Sequence, residues 1–384
     1  MKILIVSLFL PRKKATHAGG RYVYALLEHL SKNHEIYLAT RLEKTELPAL
    51  ELLRPLCREI YPYTYRTVGK RSLPDIVRLL FNYAGFSRFA GRIAQEGSFD
   101  LIQVEWVETA VLMKKTARPM VLDAHDVITK PAERLMKNSR GMSRPFNFLR
   151  YLAVKTLEKR TLKKFAMVFT LSEYDRRYLL AIDPRIRARV VPVPAGLDIT
   201  GSSFERQKDT ILFLASYKYR RVNVEAALYF YREVFPLIRK RVPEAKFIIA
   251  GYGPPEELIS LEGADPGVSV PGFVEDLEAC YKKAPVFVAP ILVGGGIIVK
   301  ILDAMAAGTP VVTTTYGNEG IGALPGRDLL VADDPESFAA AVIKLLEYPH
   351  YAEEIARNGL DYVRQHFSPG ATMSKIEAAY KELS

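Results

Sequence analysis

The stretch Pro290–Thr313, PILVGGGIIVKILDAMAAGTPVVT, decides how the rest of the chain reads. An apolar run ends at Pro290. Three glycines follow at 294–296, then a helical pattern carrying Lys300 and Asp303, then Gly308-Thr309-Pro310 and a second apolar run. Strand, glycine turn, helix and strand form the repeating unit of a parallel sheet. Gly294, Gly295 and Gly296 let the backbone approach a ligand closely. The unpaired N–H groups of the first helical turn, together with the helix dipole, favour an anion. Lys300 falls in that turn, and Asp303 lies three residues on, on the same face. A carboxylate there can accept hydrogen bonds from vicinal hydroxyls, as on a ribose. The pattern points to a phosphorylated ligand bearing hydroxyls. The alternative is a glycine-rich loop with a surface Lys–Asp pair.

The same grammar runs outward in both directions. Upstream, short apolar runs predict strands at Lys2–Leu8, Glu35–Thr40, Asp100–Val104, Met120–Asp123, Met167–Leu171 and Val190–Val193. Helical patterns lie between them: one opened by Gly19-Gly20, with Tyr22, Leu26, Leu27 and Leu30 on one face, and others at Pro74–Tyr83, Phe86–Glu96, Phe146–Lys164 and Glu173–Leu180. After residue 200 the pattern restarts. Strands are predicted at Thr210–Ala215, Lys246–Ala250, Val268–Val270, Val286–Ala289 and Pro310–Thr314. Helices are predicted at Val224–Lys240, Pro255–Leu261, Leu277–Lys282, Ile298–Ala307, Pro335–Leu346, Tyr351–His366 and Thr372–Leu383. Continuous β-branched and Leu runs suit strands buried on both faces of a parallel sheet. The expected organisation is a doubly wound domain over 1–195, a polar linker over 196–209, a second doubly wound domain over 210–368, and a helix over 369–384 that packs back on the first domain. In such sheets ligands bind at the carboxyl ends of the strands.

Composition narrows the function. The chain has 384 residues with 54 Lys+Arg and 43 Asp+Glu, a net charge of +11. The charge is uneven: residues 1–200 hold 35 basic and 19 acidic side chains, and residues 201–384 hold 19 and 24. The cationic first half implies an anionic partner or surface. Cys57 and Cys280 stand far apart with no metal-ligand spacing, which suits a reducing, cytoplasmic compartment. No apolar stretch reaches the roughly 18 residues needed to cross a bilayer, and the N-terminus reads as a buried strand. A G-x-G-x-x-G turn after the first strand and a G-x-x-x-x-G-K-[ST] loop are both absent from the sequence, which disfavours hydride transfer and P-loop phosphoryl transfer.

The segment resembles the donor-site signature of retaining nucleotide-sugar glycosyltransferases of family 4, group 1 type, which runs close to GGG-I-x-x-K-I-L-E-A-M-A-x-G-x-P-V-V. The resemblance extends over nearly the whole chain. It takes in Gly19-Gly20, MVLDAHDV at 120–127, VPAGLD at 193–198, FIIAGYG at 247–253, VPGFVED at 270–276, YGNEGI at 316–321 and DLLVADDP at 328–335. It implies α/β architecture and the GT-B fold: two Rossmann-like doubly wound parallel-sheet domains facing each other across a cleft. It also implies transfer of a sugar from a UDP-, GDP- or other nucleoside-diphosphate sugar to an acceptor hydroxyl, with no cofactor and no metal. In keeping with that, the sequence has no Asp-x-Asp motif at the site.

By this resemblance His125, Lys300 and Asp303 are the catalytic residues. Lys300 and the N–H groups of Gly296 and Ile297 meet the diphosphate, where negative charge develops. His125 meets the transferred sugar; its alternative is a loop histidine held by a cap. Donor contacts are expected at Gly19, Gly20, Ser216, Arg220, Arg221, Gly251, Gly272, Phe273, Val274, Gly294, Gly295, Gly296, Ile297, Ile298, Lys300 and Asp303. Acceptor contacts are expected at His17, Trp106 and Glu319; the alternatives are core packing for Trp106 and a loop cap for Glu319. Three departures stand out. The family's Glu-x7-Glu is Gly295 and Asp303 here. The Arg of its basic pair is Ser216, which leaves Arg220, Arg221 or Lys218 to supply the second cation. The position two before Lys300, often Arg, is Ile298. These departures keep open a catalytically weak nucleotide-sugar-binding member, beside a sugar-nucleotide epimerase or hydrolase.

The acceptor of such enzymes binds mainly the N-terminal domain, here the cationic half. Tyr63–Arg92 interleaves Arg66, Lys70, Arg71, Arg78, Arg88 and Arg92 with aromatic and Leu side chains, and Arg134–Lys164 is rich in Lys and Arg. That pattern suits a sugar or lipid-linked acceptor in cell-envelope polysaccharide, lipopolysaccharide or glycolipid synthesis, at an anionic membrane's inner face. A solvated cationic face is the alternative. No nucleic-acid motif accompanies the charge.

Overall fold

The computed structural model describes residues 1–13, 18–65, 73–141, 143–195, 206–218, 220–293 and 296–383. His17, Gly294 and Gly295 lie outside them. The chain divides into two compact units, 1–192 with 373–384, and 193–372.

The first unit holds a seven-stranded parallel sheet: β1 (Lys2–Ser7), β2 (Glu35–Glu43), β3 (Glu59–Tyr65), β4 (Leu101–Glu105), β5 (Met120–Asp123), β6 (Met167–Thr170) and β7 (Ala188–Val190). Their order is β3-β2-β1-β4-β5-β6-β7. The second holds β8 (Thr210–Leu214), β9 (Lys246–Ala250), β10 (Val268–Gly272), β11 (Val286–Ala289), β12 (Val311–Thr313) and β13 (Leu330–Val331), in the order β10-β9-β8-β11-β12-β13. Every pairing is parallel. Both sheets are doubly wound, as the sequence implies. The order reverses between β1 and β4 in one and between β8 and β11 in the other, the two switch points where such sheets open a crevice.

The central strands are apolar throughout because both faces are covered. In β8, Ile211 and Phe213 enter one core layer, while Leu212 and Leu214 enter the other. In β11, Val286 and Val288 alternate in the same way with Phe287 and Ala289.

The edges are where sequence and structure differ. β3 and β13 are additional strands. β3, EIYPYTY, is half-exposed and carries Glu59 and Pro62, so no apolar run announces it. β7 sits two residues earlier than expected and stops short of Pro192. The helix Thr129–Asn138 is also additional. The two helices expected over 74–96 are one, Leu73–Glu96. Its break in apolar rhythm at Gly85 marks a crossing: a Cβ there would overlap the Tyr63 hydroxyl. Tyr63 also packs on Phe86 and Phe89, at ring distances of 5.6 and 5.4 Å, and the Arg41 guanidinium lies 3.6 Å from the Tyr65 ring centre. Much of the aromatic content of 63–92 is thus internal packing.

Candidate active site

In the second unit the residues singled out by sequence collect on loops that follow the carboxyl ends of β8 to β12. Lys300 is the second residue of the helix Val299–Ala306, which no side chain caps at its N-terminus among the described residues. Its Nζ donates to Asn223 Oδ1 at 2.8 Å and stands 4.9 Å from the Phe213 ring centre. Asn223 Nδ2 in turn donates to the Ser216 carbonyl at 2.7 Å. The chain Lys300–Asn223–Ser216 therefore ties the loop after β11 to the loop after β8, across the switch point. Burial, with the Arg220 guanidinium as a second cause, lowers the Lys300 ammonium to about 7.

That electrostatic contact separates the candidate cations. Arg220 acts on Lys300. Arg221 is exposed and paired with Glu225 at 3.3 Å and with Glu257. Lys218 Nζ lies 3.3 Å from the Tyr252 hydroxyl, over that ring. Asn223 was not legible as a site residue; a buried amide at the start of an apolar helix was its one signal.

Gly296 takes φ +79°, in the left-handed region. Gly320, from the turn after β12, lies against it: a Cβ on Gly320 would overlap the Gly296 carbonyl. Ile297 and Ile298 pack on the core layer that holds Leu212 and Leu214. Asp303 is buried on the Lys300 helix, and Glu319 is half-buried beside Gly320. At the ends of β9 and β10 two exposed rings, Tyr252 and Phe273, meet edge to face at 6.3 Å. Gly272, at φ +74°, has open space where a Cβ would stand, and Val274 packs inward. Asp276 caps the next helix, accepting from the Ala279 N–H at 2.9 Å.

Gly251 sits at φ +135°, and a Cβ on it would overlap the Ala215 carbonyl oxygen. Gly251→Ala is expected to destabilise the second unit by roughly 3 kcal/mol. Urea unfolding of the variant against the parent measures this, and an unchanged midpoint would contradict the close packing of these two loops.

In the first unit, a buried network closes the ends of β4 and β5. His125 Nε2 and Glu105 Oε2 are 2.7 Å apart. Gln103 Nε2 donates to Glu105 Oε1 at 2.6 Å, and the Tyr380 hydroxyl donates to Gln103 Oε1. The Tyr22 hydroxyl donates to Asp123 Oδ2 at 2.7 Å. His125 and Trp106 both hold positive φ, +52° and +67°. Strained non-glycine backbone at the ends of neighbouring strands is a mark of function. The indole stacks on the imidazole at 4.2 Å and 9°, and the Tyr22 ring meets its edge at 5.4 Å. Trp106, 8% exposed, therefore walls His125 instead of offering an open platform. Burial lowers the His125 pKa, but Asp123 and Glu105 outweigh it and the group is raised to about 9. Burial pushes the Asp123 carboxyl up.

Ligand atoms of Glu105, Asp123 and His125 lie within 4.8 Å of one another, a set a divalent ion could use. Their protein partners already engage them, which makes the cluster a proton-holding network around an imidazolium. Gly19 and Gly20 lie in the first turn of the helix Ala18–Leu30, and the Gly20 carbonyl accepts from the Arg12 N–H at 3.2 Å. Glu105 was missed by sequence; its signal was a carboxylate ending a wholly buried strand, LIQVE.

Residues 208–348 match the family model described as glycosyl transferases group 1, and residues 19–200 match that of glycosyltransferase family 4. An uncharacterized 44.6 kDa protein in the cps region of Klebsiella pneumoniae is 24% identical over 98% of each chain. A phosphatidyl-myo-inositol mannosyltransferase of Mycolicibacterium smegmatis is 24% identical over 78% of this chain and 76% of its own. Among solved structures, Anabaena HepE in complex with UDP superposes with a TM-score of 0.68 at 14% identity, covering 100% of both chains.

Proposed function

The chain belongs to the family 4 glycosyltransferases of the group 1 type, and from that membership we propose that it moves a sugar from a nucleoside-diphosphate sugar to an acceptor hydroxyl with retention of anomeric configuration. The observation that carries the reading is the Lys300–Asn223–Ser216 bridge at the switch point, with Arg220 beside it. Lys300 stands in the first turn of a helix with no side-chain cap among the described residues, close enough to Arg220 to feel its charge, and a departing diphosphate needs such charge. Lys300 and Arg220 hold the phosphates, with the backbone of 294–297. Asp303 serves the ribose, and the backbone at 272–274, beside Tyr252 and Phe273, serves the base. His125, Gly19 and Gly20 serve the transferred sugar, and His17 and Glu319 the acceptor. The HepE complex with UDP supports a uridine nucleotide as the first donor base to try.

The acceptor is a lipid-linked sugar or a glycolipid, reached at the inner face of the cytoplasmic membrane. Its support is the mannosyltransferase relative, whose name specifies a phosphatidyl-inositol, and the cationic first half. No helix among the described residues is long and apolar enough to cross a membrane.

The test is a panel of UDP-, GDP-, ADP- and dTDP-sugars read by thermal shift, because a ligand bound only by the native state raises apparent stability. The sugars that shift are then offered in radiolabelled form with acceptors. Transfer supports the reading, whereas released or epimerised sugar without transfer overturns it. The same panel carries a pH prediction. With Lys300 lowered to about 7 in the free protein, binding a fixed-charge diphosphate must first protonate it. Donor affinity is expected to be level below pH 7 and to fall about tenfold per unit above it, until the pKa of the bound state is reached. Calorimetry in buffers of different ionisation enthalpy checks this, since proton uptake must appear above pH 7. Affinity constant to pH 9 would contradict it.

A further inference from the structure

The helix Ser143–Leu162 is turned the wrong way round for a soluble protein. Its packed side is polar or mixed: Asn147, Tyr151, Val154 and Lys155 are half-buried, and Glu158, Thr161 and Leu162 are buried. Glu158 is locked there by the Ile128 N–H at 2.9 Å and the Thr129 N–H at 3.1 Å. Its outer side is apolar. Phe146 and Leu149 are 69% and 65% exposed, with Phe148, Leu152 and Leu157 exposed beside them. At 100° per residue, over 145–157, these side chains with Pro145 and Ala153 line an arc of about half the circumference opposite the packed face, broken by Thr156; Lys159 and Arg160 enter the same arc only in the last turn. Exposed Arg144 borders one edge of the arc and exposed Arg150 the other. From 134 to 157 the sequence holds six Lys or Arg and no Asp or Glu.

We propose that this helix is a membrane-docking element that lies flat on an anionic lipid bilayer, with Phe146, Phe148, Leu149 and Leu152 in the acyl boundary and Arg144 and Arg150 among the headgroups. An apolar arc edged by cations is what an interfacial helix requires. The charge selects the occupant. A second copy of the chain would set the same cations against one another, whereas an anionic leaflet supplies the opposite sign together with an apolar interior. The helix is 20 residues long, about 30 Å at 1.5 Å per residue, but too polar to span. The inference rests on the proposed membrane-borne acceptor for its purpose, and the face would hold the enzyme where that acceptor lies.

Flotation of the full chain with vesicles of phosphatidylcholine containing 30% phosphatidylglycerol tests it, against pure phosphatidylcholine. The expected result is at least tenfold stronger binding to the anionic vesicles, weakened by salt. Phe146→Asn with Leu149→Asn should lower it at least tenfold, and Arg144→Gln with Arg150→Gln should remove the lipid-charge preference. All these positions are exposed, so circular dichroism and melting should match the parent. Donor turnover toward a soluble acceptor, measured without lipid, should be unchanged in both variants. Failure of flotation, or variants that float like the parent, would overturn the docking face while leaving the transferase reading intact. Absence of turnover in the parent with every donor would overturn the transferase reading whatever the flotation. A dimer in sedimentation that the Asn variant dissolves would assign the face to self-association and overturn the proposal.

Discussion

Lys300→Ala is expected to lower sugar transfer by about 10²–10³-fold, the cost typical of removing one preorganised group that meets developing negative charge. Nucleotide binding should weaken with it, since the ground-state diphosphate already carries charge. Lys300→Arg should not rescue. Arg is longer and planar, whereas the Asn223 carbonyl is placed for a compact ammonium at 2.8 Å. Asn223→Ala is the sharper companion. It leaves the cation but frees it from the loop after β8, so transfer should fall about tenfold with the loss mainly in kcat. The melting temperature of Lys300→Ala separates loss of the group from unfolding. Burial lowers this ammonium to about 7, so in the folded state the charged form is disfavoured. A lowered Lys pKa opposes stability at every pH below its unfolded value, and Ala removes that penalty. The variant's melting temperature without ligand should therefore stay close to the parent's, removal of the disfavoured charge offsetting the lost hydrogen bond to Asn223, while the shift on adding nucleotide sugar disappears. Near-parent turnover in Lys300→Ala would remove the diphosphate site from this loop.

How much of this was legible depends on what each residue touches. KFIIA and VFVA read as strands because both faces of a central parallel strand are covered, so the sequence needs no polar positions. The edge β3 did not read, because an edge strand half in water keeps residues such as Glu59 and Pro62, and β13 did not because its two residues, Leu330 and Val331, make too short a run. At the second unit's loops the glycine pattern and Lys300 stand out locally, since a helix start with a cation is contiguous in sequence. The choice among Lys218, Arg220 and Arg221 is not a local property. It turns on Glu257 drawing Arg221 away from 36 residues along and on Tyr252 lying under Lys218. Glu105 and Asn223 were hidden for the same reason. Each looks like a cap or a core amide until the fold brings it to His125 or Lys300.

The network around His125 makes the second large prediction. An isolated buried imidazole would titrate low, but Glu105 and Asp123 raise this one to about 9. The group is then an imidazolium at neutral pH, able to donate to a sugar oxygen from the nitrogen that Glu105 does not hold. His125→Ala is expected to lower kcat at least about 10²-fold and to leave Trp106 without its stacking partner. Glu105→Gln keeps a hydrogen-bonding group of similar shape and removes one carboxylate. The His125 pKa should fall by a unit or more, visible in the proton resonance of its ring. The two pH profiles then separate the two sites. The profile of kcat/KM for the donor reports the free enzyme and should fall above pH 7 with Lys300. That of kcat reports the loaded enzyme, where the bound diphosphate holds Lys300 charged, and should fall only near pH 9 with His125. In Glu105→Gln the upper limb should move down and the lower one stay. The stability sign agrees: a folded pKa near 9, above the unfolded 6.5, favours the folded state fully below pH 6.5, and that contribution is lost as pH rises through 9. An upper limb unmoved by Glu105→Gln would mean that His125 does not titrate in the reaction, and its place in catalysis would pass to another group.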